Sequence, residues 1–182
     1  MKNIKYDMKQ VIGVLFGSFI LIAFCLFFLI FDIRKIFDIR KITDNSPFDN
    51  PIIYYLCKGF VLFSALFFTF GFVFIIKNVI KYKNNVIEIH EEYMIDRSTY
   101  NSLGKIEYKD IEKIYTKGAF ICIELKNEEE YLKNIKGLRK FLINSNKKMK
   151  YTSISLSDNL LKIGRSELKK LIEEKVKQVN TI

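Results

Sequence analysis

The sequence predicts an α+β protein in two parts: a hairpin of two long apolar helices, then a small antiparallel β domain closed by a C-terminal helix. Three observations predict it. Thirteen of the 17 Phe fall within residues 16–31 and 60–74, so the 49% of hydrophobic residues is crowded into two blocks rather than spread as in a uniform globule. Short β-prone runs follow one another closely between residues 86 and 125, which favours antiparallel pairing. The last stretch, about 166–179, spaces Leu168, Leu171, Ile172, Val176 and Val179 as on a helix that caps the sheet.

Residues 11–31 carry no charge and, as a helix, reach about 31 Å, enough for a hydrocarbon core. A secretory leader would be shorter and would end in small residues, whereas this run ends in Phe31 and Asp32. Residues 59–76 are also charge-free and reach about 27 Å, preceded by Pro51, Tyr54 and Tyr55 and closed by Lys77. Nothing else in the chain is apolar enough to cover two such Phe-rich cylinders, so residues 1–83 read as an N-terminal tail and a two-span membrane hairpin. Two spans put both termini on one side. Lys2, Lys5, Lys9, Lys77, Lys81 and Lys83 outnumber Arg34, Lys35, Arg40 and Lys41 of the connecting loop, so cytoplasmic termini and a multi-pass protein of the cytoplasmic membrane are expected.

The connecting loop holds FDIRKI twice in succession, at 31–36 and 37–42. Two copies of six residues are too few for a solenoid, so the duplication lengthens the loop or forms a short interfacial segment. In the first span Gly13 and Gly17 form a GxxxG that would let a helix approach closely. Packing on the second span, through Ser64, Ala65 or Gly71, is favoured over homodimerisation. Cys25, Cys57 and Cys122 form no CxxC and no even set, so neither a disulfide framework nor a zinc site is indicated.

Residues 84–182 are enough for one small domain. VIEI (86–89) and YMI (93–95) read as a hairpin across His90, Glu91 and Glu92, followed by strands near 105–108, 111–115 and 120–125. In FICIEL, Ile121, Ile123 and Leu125 form the core face. Asn127 with Glu128, Glu129 and Glu130 reads as a helix cap and capping box rather than an acidic site. That helix breaks near Gly137 and resumes through Leu138, Leu142 and Met149. Strands follow at 153–156 and 160–163.

The segments IEIHEEYMID (87–96), IEYKDIEKI (106–114), ICIELKNEEEYL (121–132) and SISLSDNLLKI (153–163), in this order, resemble a family of small uncharacterised bacterial membrane proteins. That family, designated by an enterobacterial locus tag, has two spans and a PH-like cytoplasmic domain. Tyr108 stands where bacterial PH-like domains often carry Trp, and Glu128 where the family usually has Pro. The resemblance implies a partly open barrel closed by a C-terminal helix, and it supplies no catalytic or binding residues.

Enzymatic chemistry finds little support. His90, the only His, falls at a hairpin turn, where it should be solvent-exposed, and no phosphate-binding glycine pattern occurs. Asp96, Glu107 and Asp110 could converge, but strand and turn carboxylates rarely do. No metal or other cofactor is expected. The sharper feature is electrostatic: Lys133, Lys136, Arg139, Lys140, Lys147, Lys148 and Lys150 lie between 132 and 151 with no acidic residue among them. Beside a membrane, this tract could hold the domain on anionic lipid. The plainer reading, a solvated helix face in a chain with 30 Lys and Arg, weighs more on sequence alone. A nucleic-acid partner is not expected, because the tract lacks a stacking platform. The hairpin Glu91 and Glu92 would repel a phosphate in the first loop. The sequence thus reads as a non-enzymatic membrane-anchored binding or scaffold module, contacting anionic lipid or a partner protein. The alternatives are a regulatory subunit engaged through the spans and, least supported, a membrane hydrolase.

Overall fold

The computed structural model describes residues 1–31 and 50–181. Most of the FDIRKI duplication, with Arg34, Lys35, Arg40 and Lys41, lies outside the described residues. The chain is α+β and divides into two compact units: Val11–Lys77, and Met1–Gln10 together with Asn78–Ile182.

The first unit is built from two helices, α1 (Met8–Ile30) and α2 (Pro51–Tyr82). Each starts on a side-chain cap. Asp7 Oδ1 accepts from the Lys9 N–H at 3.0 Å, and Asn50 Oδ1 accepts from the Ile52 N–H at 2.9 Å with Pro51 at the first helical position. The second helix therefore begins well before Gly59, because the Asn-Pro start signal precedes the charge-free run. With 23 and 32 residues, both helices are long and apolar enough to cross a membrane. Neither is the core helix of a globule, since Phe16, Phe19, Phe24, Phe60, Phe63 and Phe67 are all exposed. The hydroxyls of Ser18 and Ser64 donate to the carbonyls of Val14 and Phe60 one turn back, so these polar groups are satisfied within their own helices.

The second unit contains two antiparallel sheets. One has the order β1 (Lys2–Ile4), β2 (Ile87–Ile89), β3 (Tyr93–Asp96), β4 (Gly104–Glu107); the other β5 (Ile111–Lys117), β6 (Phe120–Leu125), β7 (Ile154–Ser157). The tail is thus part of the β unit, which corrects the expected boundary at 83/84. Lys2 pairs with Ile89 and Ile4 with Ile87. Beyond β1, the Asp7 N–H donates to Leu160 O at 2.8 Å and the Lys162 N–H to Lys5 O at 2.9 Å. The strand expected at 160–163 is accordingly one bridge between Leu161 and Tyr6. It serves the tail and adds nothing to β7.

The core is aliphatic: Ile87, Ile89, Met94, Ile106, Ile121, Ile123 and Leu156 are buried with Tyr108. The last helix, α5 (Arg165–Asn180), packs on a 3-10 turn (Tyr108–Asp110) and on β5 and β6, burying Leu168 and Ile172. Between β6 and β7 lie α3 (Glu128–Leu132) and α4 (Gly137–Lys148). The expected capping box is not formed: Asn127 makes no side-chain cap bond, and its carbonyl instead accepts from the Glu130 N–H. Glu128 is drawn away to Lys147.

Candidate functional site

The basic tract is carried by α4 and the links on either side of it. One face of α4 is fixed to the core through Ile143, which is buried, with Leu142 and Asn146 half-buried beside it. Leu138 and Met149 do not join this face. They are 49% and 58% exposed, and Phe141, on the outward side, is 65% exposed. At 3.6 residues per turn, Lys140, Phe141, Asn144 and Lys148 share that outward side, flanked by Leu138 and Met149. The face is therefore mixed, large apolar side chains standing among cations.

Of the seven basic residues, Lys133, Lys136, Lys140, Lys148 and Lys150 belong to exposed surface. Lys147 is exposed too, but it is tied to Glu128, whose carboxyl is raised by burial and lowered more strongly by Lys147 and Ser153, ending below its ordinary value. Arg139 is different. It turns inward and donates to the Ser102 carbonyl, with Asp96 nearby. Burial pushes the Asp96 carboxyl up, while Ser102, Ser98 and the Arg139 charge pull it down without cancelling the rise. Arg139 is thus a structural tie between α4 and the β3–β4 connection, not a surface cation.

The end of α4 is a Schellman turn. The Lys150 N–H donates to Lys147 O at 2.9 Å, and the Tyr151 N–H to Asn146 O at 2.9 Å. Lys150 occupies the left-handed position (φ 60°) that glycine ordinarily fills. From the end of β5, Lys117 Nζ donates to the Met149 and Lys150 carbonyls at 3.2 and 2.5 Å and sits 4.5 Å from the centroid of the Tyr151 ring.

The other candidates are accounted for inside the fold. His90 is half-buried, not solvent-exposed: its ring stacks on Tyr93 at 4.4 Å and its Nε2 lies 3.2 Å from Glu88 Oε2. Glu88 also accepts from Arg97 at 2.6 Å and Asn85 at 2.9 Å. The three carboxylates do not form one cluster: Asp96 lies opposite Gly104 at the far end of β4, whereas Glu107 and Asp110 border one open cleft with Tyr131. Glu107 pairs with Lys109 at 2.8 Å and Lys105 at 3.2 Å, and Asp110 accepts from the Tyr131 hydroxyl at 2.6 Å. Burial, with that hydrogen bond to Asp110, pushes the Tyr131 hydroxyl up to about 12. Among the described residues no group of His, Cys, Asp and Glu could hold a metal ion.

At Gly13 and Gly17 an added Cβ would meet nothing within 4 Å, so the expected close approach of the second span is not made there. Phe141 and Lys117 were not singled out by sequence reasoning. The signal for Phe141 was present, since it stands four residues before Ser145 and beside Lys140 on a helix whose buried phase is set by Ile143. Comparison with protein-family models, with curated proteins and with solved structures finds no match.

Proposed function

We propose that the chain is a non-enzymatic, membrane-anchored binding module. In this reading α1 and α2 cross the cytoplasmic membrane as a hairpin, and the β unit, PH-like in architecture, meets anionic lipid on the cytoplasmic side through α4. The observation that carries it is the mixed face of α4, where Phe141, Leu138 and Met149 are exposed among Lys140, Lys148 and Lys150. A merely solvated face has no use for such apolar side chains, whereas an interfacial helix needs them beside cations. The PH-like reading is supported by the four- and three-stranded sheets with a closing helix. The pairing of β1 with β2 supports a hairpin, because strands on either side of α1 and α2 can share one sheet only if the chain crosses an even number of times.

Lysine footprinting tests it. The full chain is placed in nanodiscs of phosphatidylcholine alone or with phosphatidylglycerol, and acetylation of individual lysines is measured at low and high salt. Lys140, Lys148 and Lys150 should react more slowly in anionic discs at low salt, with Lys170 of α5 unchanged as reference. Equal reactivity in all discs sinks the lipid-facing reading.

A second reading, a regulatory subunit engaged through the spans, is favoured by the open face at Gly13 and Gly17. Changing both to Leu should abolish co-purification of a partner while leaving lysine protection intact.

A further inference from the structure

Beside the mixed face, a groove of about 290 Å³ opens between α4, the second sheet and the β3–β4 connection, lined by Phe120, Leu142, Met149 and Tyr151 with Thr99, Asn101, Asn146 and Ser155. This is at the small end of ligand clefts and suits a slender ligand. Its walls are firm. Phe120 of β6 and Tyr151 meet edge to face at 5.6 Å, and Lys117 lies over the Tyr151 ring. Cations adjoin it. Lys150 lies in the chain between the lining residues Met149 and Tyr151, and Lys117 Nζ sits 4.5 Å from the centroid of the Tyr151 ring.

Lys150 supplies a second observation. Lys150 keeps a long cationic side chain at a left-handed position that costs an L-residue free energy and that glycine would fill without strain. Such strain is retained where a side chain is used. An apolar slot with lysines beside it matches an amphiphile with an anionic head and one hydrocarbon tail, and a chain with two helices long and apolar enough to cross a membrane would meet such molecules in a bilayer.

We propose that this groove binds one acyl chain of an anionic bilayer phospholipid, with Lys150 meeting its headgroup phosphate. The inference rests on the lipid-facing reading of α4.

The full chain in nanodiscs is photolysed with phosphatidylglycerol carrying a diazirine near the end of one acyl chain, and adducts are mapped by mass spectrometry. Labelling of α1 and α2 serves as the internal reference. Adducts are expected on Phe120, Met149 and Tyr151. They should disappear when the groove is filled by Ser155→Phe or, from the helix side, by Asn146→Trp, with protection of Lys140 and Lys148 kept. Lys150→Gly should lower groove labelling about fivefold. Adducts confined to the spans, with Lys140 and Lys148 still protected, overturn the groove and leave surface docking in place. Loss of both overturns the two readings together. Equal groove labelling by a phosphatidylcholine probe overturns the assignment of the headgroup to Lys150.

Discussion

Ile4 faces Ile87 across the β1–β2 ladder, so the chain leaves the β unit before α1 and re-enters the same sheet after α2. The apolar hairpin is an insertion between two neighbouring strands, not an anchor that precedes a finished domain. Ile4 and Tyr6 are both buried, and the Val86 N–H donates to Ile4 O at 2.9 Å. A fragment beginning at Asn84 loses all of this. We expect it to be less stable by at least about 3 kcal/mol than Met1–Gln10 joined by a Gly/Ser linker to Asn78–Ile182, since one buried aliphatic side chain alone contributes about 1.5–3 kcal/mol. Urea melts of the two proteins decide it, and equal midpoints and slopes would show that β1 contributes nothing.

Lys150 offers a test in the opposite direction. A left-handed L-residue costs about 1–2 kcal/mol, and the greater unfolded-state freedom of glycine offsets about half of that. Lys150→Gly should therefore leave stability unchanged or raise it by up to about 1 kcal/mol. The Lys150 carbonyl that accepts from Lys117 is retained. A lower melting temperature would mean that the Lys150 side chain supports the fold rather than a ligand.

Much of this architecture was legible because it rests on local pattern. The two Phe blocks, the alternation of Ile121, Ile123 and Leu125, and the spacing of Leu168 and Ile172 each declare an element within a dozen residues. What was hidden depends on long-range pairing or helical phase. Lys2–Ile4 is three residues long, carries no periodicity, and becomes a strand only because Ile87–Ile89 offers it an edge. The basic tract was legible as charge but not as direction. Arg139 and Lys140 are adjacent in sequence, yet about 100° of helix turns one toward Ser102 and the other to solvent. His90 was misplaced for a related reason, since the sequence shows the turn but not the stacking on Tyr93 that half-buries it.

Glu88 makes the β2–β3 hairpin pH-sensitive. Burial raises its carboxyl, but hydrogen bonds from Arg97, His90 and Asn85 outweigh this and leave it below the ordinary glutamate value. A carboxylate lowered in the native state contributes stability that is complete above its unfolded value and is lost as pH falls through the native one. Glu88→Gln should cost about 1–2 kcal/mol at neutral pH, after solvent screening of a partly exposed pair. The difference between the two proteins should shrink as pH falls below the glutamate range. A penalty that is constant with pH would assign the loss to packing.

Phe141 and Lys148 separate the two forces that would hold α4 on a bilayer. Phe141 is 65% exposed, so Phe141→Ser should leave the melting temperature within about a degree or two, as surface changes do. Its ring, buried in an interface, contributes up to about 1.5–3 kcal/mol, which salt does not screen. Lys148→Gln removes about 1 kcal/mol of attraction that salt weakens. In anionic nanodiscs the Phe141 variant should therefore lose Lys140 protection by about tenfold at every salt concentration. The Lys148 variant should lose about fivefold at low salt and nothing further at high salt. If Phe141→Ser changes protection no more than Asn144→Ser does, the apolar side chains take no part, and contact with lipid reduces to diffuse charge.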